Sequence, residues 1–201
     1  MNLRRYLAAF GLSGLGKGFM LPILSLMILS RGLNASTLAL ATGTFALAVV
    51  LLELPSGMAS DRWGHRRVYF IAQLLGASGD LVLAFSNAVF MGMALMGAAT
   101  AFESGSLSSL FFQRWIDEQG KQTLPQATVR VNVLETGGLA LGALVGGMVG
   151  SASPAPLLPY APLLLARFIL RLGAVAAAVG IPDDRPLPHS ATQVGNWRQL
   201  L

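Results

Sequence analysis

The chain has 201 residues, 54% of them apolar and only 11% charged, with a mean hydropathy of +0.62. Soluble domains carry about 25% charged residues because a solvated surface has to be covered, so lipid is expected to cover much of this one. The formal charge of +5 sits in short clusters between apolar runs, without the interleaved aromatics that stack bases, and the absence of Cys removes disulfides and thiolate metal sites; neither a nucleic-acid partner nor a metal is expected.

Six apolar segments follow in chain order: Tyr6 to Leu29, Leu38 to Ser56, Val68 to Phe85, Ala88 to Phe112, Val131 to Gly150 and Leu158 to Ile181. Each is long enough to cross a hydrocarbon core about 30 Å thick, which takes around 20 helical residues that satisfy their own backbone hydrogen bonds. The second and third are at the short end. The first is no signal peptide, since it is too long and holds Lys17 in its middle. The runs are continuous and exceed barrel strands, which sets strands aside. Gly11, Gly14 and Gly18 in the first segment, with Gly138, Gly142 and Gly146 in the fifth, predict close helix packing, within the bundle or across a dimer face.

Orientation follows from the 14 Lys and Arg. With the N-terminus in the cytoplasm, Arg4, Arg5, Arg62, Arg66, Arg67, Arg114, Lys121, Arg130, Arg185 and Arg198 fall inside and only Arg31 falls outside; Lys17, Arg167 and Arg171 lie within segments. This bias predicts a multi-pass protein of the inner or plasma membrane with both termini cytoplasmic.

Between the second and third segments stands Glu53-Leu54-Pro55-Ser56-Gly57, followed by Asp61, Arg62, Gly64, Arg66 and Arg67. Part of this charge keeps the loop on the cytoplasmic side. Gly57 is expected to let the end of the second helix approach a neighbour, Gly64 to permit the turn, and Asp61 to meet free amides or a nearby Arg. The pattern G-x-x-x-D-R-x-G-x-R-R resembles the loop signature of the major facilitator superfamily of transporters, with His65 where the first basic residue commonly stands. The E-x-P-S-G start and Ser104-Gly105 through Phe112 are similar to one bacterial group of that superfamily, although Gln113 replaces its Asp. The resemblance covers residues 6 to 182.

It implies an all-α, polytopic fold: six transmembrane helices forming one bundle, half of a twelve-helix transporter. Residues 1–181 would be the N-terminal bundle, and 182–201, rich in Pro and polar residues, the start of a cytoplasmic linker between halves. The expected partners are a small-molecule substrate, possible protons, the lipid bilayer, and a missing C-terminal six-helix half or a second copy. The resemblance also implies that Asp61 latches the halves, partly against Arg114 at the end of the fourth helix.

Ionisable groups inside a membrane are costly and need a partner or a water-filled cavity. Lys17 lies about eleven residues into the first segment, roughly 16 Å at 1.5 Å per residue, near mid-membrane. The resemblance places Lys17 and Glu103 on helices lining the central cavity, where substrate or a proton meets them; Glu103 serves either in coupling or as a structural partner of Lys17 or Arg114. Asp80, Arg167 and Arg171 are read as an ion pair between the third and sixth segments, the rival being an anion-binding pair of arginines one turn apart. Glu135 is expected to pair with Arg130 or Arg114.

No nucleophile elbow, phosphate-cradling loop or metal-spaced His set is present, so neither an enzyme nor a cofactor is expected. The function expected is alternating-access secondary transport of a small solute, as proton-coupled efflux, by a chain that is a truncated N-terminal half. The alternatives are a non-transporting remnant or scaffold, or a half-size protein acting as a homodimer.

Overall fold

The computed structural model describes residues 2–151 and 160–181; the expected linker, 182–201, with Arg185 and Arg198, lies outside the described residues. Described are the α-helices α1 (Leu3–Ser30), α2 (Ala35–Trp63), α3 (His65–Phe85), α4 (Val89–Ser104), α5 (Leu107–Gln119), α6 (Leu124–Ser151) and α7 (Ala161–Val179). A 3-10 turn, Lys121–Thr123, precedes α6, and no strand occurs among the described residues. Asn34 starts α2 by accepting from the Thr37 amide at 2.9 Å, and Pro162 stands in the first turn of α7, where its missing N–H costs nothing.

Among the described residues, five helices, α1, α2, α3, α6 and α7, are long and apolar enough to cross a membrane. The fourth apolar segment, expected as one helix from Ala88 to Phe112, forms two pieces. Its first piece, α4, has 16 residues, about 24 Å at 1.5 Å each, too short alone for the hydrocarbon core. The helix breaks at Gly105 and Ser106, where the serines compete for backbone: Ser104 Oγ donates to Ala101 O and Ser106 Oγ to Glu103 O, both at 3.0 Å. Hydroxyls bonding back to a carbonyl weaken the ladder and bend helices.

The expected loop between the second and third segments is also different. Helix continues through Glu53–Trp63, Pro55 included, and only Gly64 leaves it, with φ 91° and ψ 142°, before α3 begins at His65. That backbone conformation suits glycine. The connection is therefore a single-residue corner.

Packing pairs the elements in a repeating way. α1 lies against α6 and α7, α4 lies against α2 and α3, and α3 meets α7. Exchanging α1, α2 and α3 for α4, α6 and α7 maps these contacts onto one another, so the bundle carries an internal three-plus-three pseudo-symmetry. In lipid no hydrophobic force drives such contacts, and small residues that let backbones approach replace it. At Gly14 a side chain would collide with the backbone of Glu135, and at Gly18 with Leu139 and Ala143; Gly138 and Gly142 face the backbone of α1 in return. The glycines foreseen in the first and fifth segments thus meet within the bundle.

Two apolar clusters fill the interior. One joins Phe19, Ile23 and Met27 of α1 to Leu83 of α3 and to Met93 and Met96 of α4. The other is aromatic and pins α5 to α1: the Phe111 ring lies 5.4 Å from Tyr6, 5.6 Å from Phe10 and 5.6 Å from Trp115. The clusters leave a band between them, and the intramembrane charges occupy it.

A candidate substrate and coupling site

Lys17 sits in the middle of α1, one turn from Ser13 on the same face. Its Nζ lies 3.2 Å from Glu103 Oε1 and 3.8 Å from Glu135 Oε1. Ser13 Oγ donates to the same Oε1 of Glu103. Glu103 occupies the last turn of α4, immediately before the break. Three helices, α1, α4 and α6, therefore bring one cation and two carboxylates together. Glu135 pairs here with Lys17, where Arg130 or Arg114 had been expected. The close approach of α6 to Gly14, three residues before Lys17, carries Glu135 to it. Arg130 instead lies over the Trp115 ring at 5.3 Å.

Charge this deep is open on one side. The Lys17 side chain keeps 40% of its surface exposed and that of Glu135 34%, against 12% for Glu103. A cavity of about 220 Å³ borders Lys17, Glu103 and Glu135, with Ser104, Ser108 and Thr100 in its wall. On the other side of Lys17, a second cavity of about 280 Å³ is mainly apolar, lined by Met20, Phe45, Met93 and Met96. One side chain thus stands between a polar and an apolar recess.

The second group of charges is enclosed. Asp80 of α3 is fully buried; its Oδ1 lies 3.0 Å from Arg167 Nη1 and its Oδ2 accepts from Arg171 Nε at 2.8 Å. The Oδ1 contact is an ion pair without hydrogen-bond alignment, since Oδ1 has no hydrogen-bond partner. Arg167 Nη1 also approaches Met96 Sδ at 3.7 Å, and Arg171 Nη1 donates to Gln73 Oε1 at 3.1 Å. Both arginines, one turn apart, thus turn to the single carboxylate. Gly76 leaves the space that the Arg171 guanidinium crosses. A small chamber of about 20 Å³, open on one side, lies between this group and the first, with Ser13, Lys17, Gln73, Thr100, Glu103 and Arg167 among its lining residues.

The residues of the 57–67 stretch are placed at one end of the bundle. Arg66 Nη1 donates to the carbonyls of Ile181 at 2.8 Å and Val179 at 3.3 Å, closing the C-terminus of α7, and its guanidinium covers the Phe70 ring at 5.7 Å. Arg5 of α1 packs against Gly180 at the same end. Arg62 and Arg67 are exposed. Asp61 is exposed as well. A Cβ at Gly57 would meet nothing within 4 Å, while a Cβ at Gly105, just past α4, would stand 4.0 Å from Gly57 Cα.

Ser13, Gln73 and Thr100 were not foreseen. Spacing held a signal for two of them: Ser13 stands four residues before Lys17, and Gln73 seven before Asp80, each on the same helical face as its charge.

Bundled apolar helices with paired charge at mid-depth define a polytopic membrane protein of the transporter kind. A sequence profile of the Major Facilitator Superfamily matches residues 6–201, and the chain belongs to that superfamily, a class of secondary transporters and not, in general, of enzymes. No curated protein matches it.

Proposed function

We propose that this protein couples proton movement to the export of a small solute, with Glu103 as the proton-carrying group and Lys17 as its switchable partner. The observation that supports this reading is the shared contact of Lys17 with Glu103 and Glu135 beside a cavity that opens from the bundle. When Glu103 is charged, it holds Lys17. When Glu103 takes up a proton the attraction is lost, and Lys17 is left to Glu135 or to a ligand in the cavity. The apolar recess with its methionines, which adapt their shape, favours a solute with an apolar body.

A half-exposed Lys–Glu pair in the hydrocarbon region is untenable against lipid. It is supported best by a second six-helix unit, from a longer chain or a second copy, closing a water-filled cavity over α1, α4 and α6. On this reading the basic end, with Arg5, Arg62, Arg66 and Arg67, lies in the cytoplasm of a cell whose inner or plasma membrane holds the protein.

The test is transport in proteoliposomes carrying an imposed pH gradient. Glu103→Gln is expected to abolish gradient-driven solute movement and the accompanying proton flux while leaving the thermal unfolding midpoint within a few degrees of the parent. Undiminished coupled transport by that variant removes Glu103 from the mechanism.

A further inference from the structure

The chamber of about 20 Å³ between the two charge groups is large enough for one water molecule, which needs about 10–15 Å³ on this measure and two to four polar partners. Its wall supplies them. Gln73 is 3% exposed, and while its oxygen accepts from Arg171 its Nε2 has no partner. Arg167 is 4% exposed and its Nε is unpartnered too. Glu103, in the same wall, receives both Ser13 and Lys17 on Oε1. The Thr100 hydroxyl donates to Met96 O at 3.0 Å and keeps its own lone pairs. Buried donors left unmade are rare in native proteins, and an ordered water is the common remedy.

We propose that this chamber binds one water molecule, which accepts from the Gln73 amide and donates to the Glu103 carboxylate, joining the Glu103–Lys17 pair to the Asp80–Arg167–Arg171 triad in one hydrogen-bonded unit. Arg167 Nε and Thr100 Oγ1 complete its shell. A protonated Glu103 offers a hydrogen where it had accepted one, so the water must turn. The turn is felt at Gln73, and through Gln73 at Arg171, where α3 meets α7. The charge state of the cavity acid is thereby transmitted to a helix contact outside the cavity. The charged and titratable groups around Glu103 are Lys17 of α1, Tyr69 and Asp80 of α3, Glu135 of α6, and Arg167 and Arg171 of α7. None of them fills the gap between the two groups, which is why a water is needed there.

The transmission rests on the reading of Glu103 as the proton carrier, whereas the water site stands on burial and orphaned donors alone. The experiment separates the two: infrared difference spectroscopy of the full chain in nanodiscs, titrated with pH and repeated in oxygen-labelled water, with the Glu103 carboxyl band assigned by its loss in Glu103→Gln. The parent is expected to show a bonded water O–H band that moves on labelling. Two variants are expected to remove that band and to move the Glu103 midpoint by about one pH unit, tenfold in proton affinity. Gln73→Leu deletes the donor. Gly16→Ala narrows the chamber with a methyl that would stand at an ordinary 3.8 Å from Arg167 Cγ and alters no charge, so it decides the matter if Gln73→Leu does not fold. A parent without a label-sensitive band, or a band and midpoint unchanged in Gly16→Ala, overturns the proposal. A Glu103 that does not titrate, with the water band present and lost in the variants, overturns the coupling reading and leaves the water site standing.

Discussion

Asp80 is one carboxylate between two guanidiniums, all three sealed in the bundle. Taking such charges out of water is expensive, and removing one partner is worse than never having buried the pair, because the remaining charge is left uncompensated. Asp80→Ala is therefore expected to destabilise the protein by about 3–5 kcal/mol, read as a lowered unfolding midpoint in detergent. Lys17→Met, at a site that is 40% exposed on its side chain, is expected to cost far less stability while abolishing coupled transport. Equal losses from the two would contradict the division between an enclosed structural triad and a part-exposed Lys17. The identities of these residues were legible in the sequence, since an ionisable group in an apolar run is conspicuous. Their pairing was legible only in part. Asp80, Arg167 and Arg171 fall at similar depths when counted along their segments, whereas Glu135 with Lys17 depends on how far α6 slides along α1, which no one-dimensional count contains.

At the scale of the element, the glycines of α1 and α6 set that slide. Gly18 has backbone of Leu139 and Ala143 where a methyl would stand, while Gly147, on the same α6, faces open space. Backbone cannot swing aside as a side chain tip can, so Gly18→Ala is expected to cost about 1–3 kcal/mol and Gly147→Ala nearly nothing, measured by thermal unfolding in the same detergent. Gly18→Ala is also expected to weaken coupling, since it pries Glu135 from Lys17. The broken fourth segment shows the other limit. Ser104-Gly105-Ser106 was visible as a motif, but an apolar run of this length reads as a continuous helix. The break depends on hydroxyls finding the carbonyls of Ala101 and Glu103, and on Ser56 of α2 adding a further bond to Ala101 O at 2.8 Å. That last partner comes from another helix.

For the whole molecule, the basic corner at Gly64, the N-terminal arginines and the end of α7 lie together, held by Arg66 and Arg5. The opposite end carries Arg31, whose guanidinium donates to the carbonyls of Leu83 and Ser86, the latter at 2.9 Å, and closes α3. The absence of native Cys makes topology easy to test. A Cys at the exposed Asn87 is expected to react with a membrane-impermeant maleimide applied to intact cells, and one at the exposed Arg67 only after the cells are opened. The reverse pattern would invert the molecule in its membrane.

Composition by itself determined that the chain lives in lipid, because so few charged residues cannot cover a solvated surface, and the spacing of apolar runs and arginines determined that the chain is helical and multi-pass and which end is basic. These are additive properties that a sequence carries position by position. Which charges meet, which are sealed and which face a cavity was decided only in the tertiary structure, because it depends on the rotation and slide of one helix against another. Small residues at the α1–α6 contact help to set that slide.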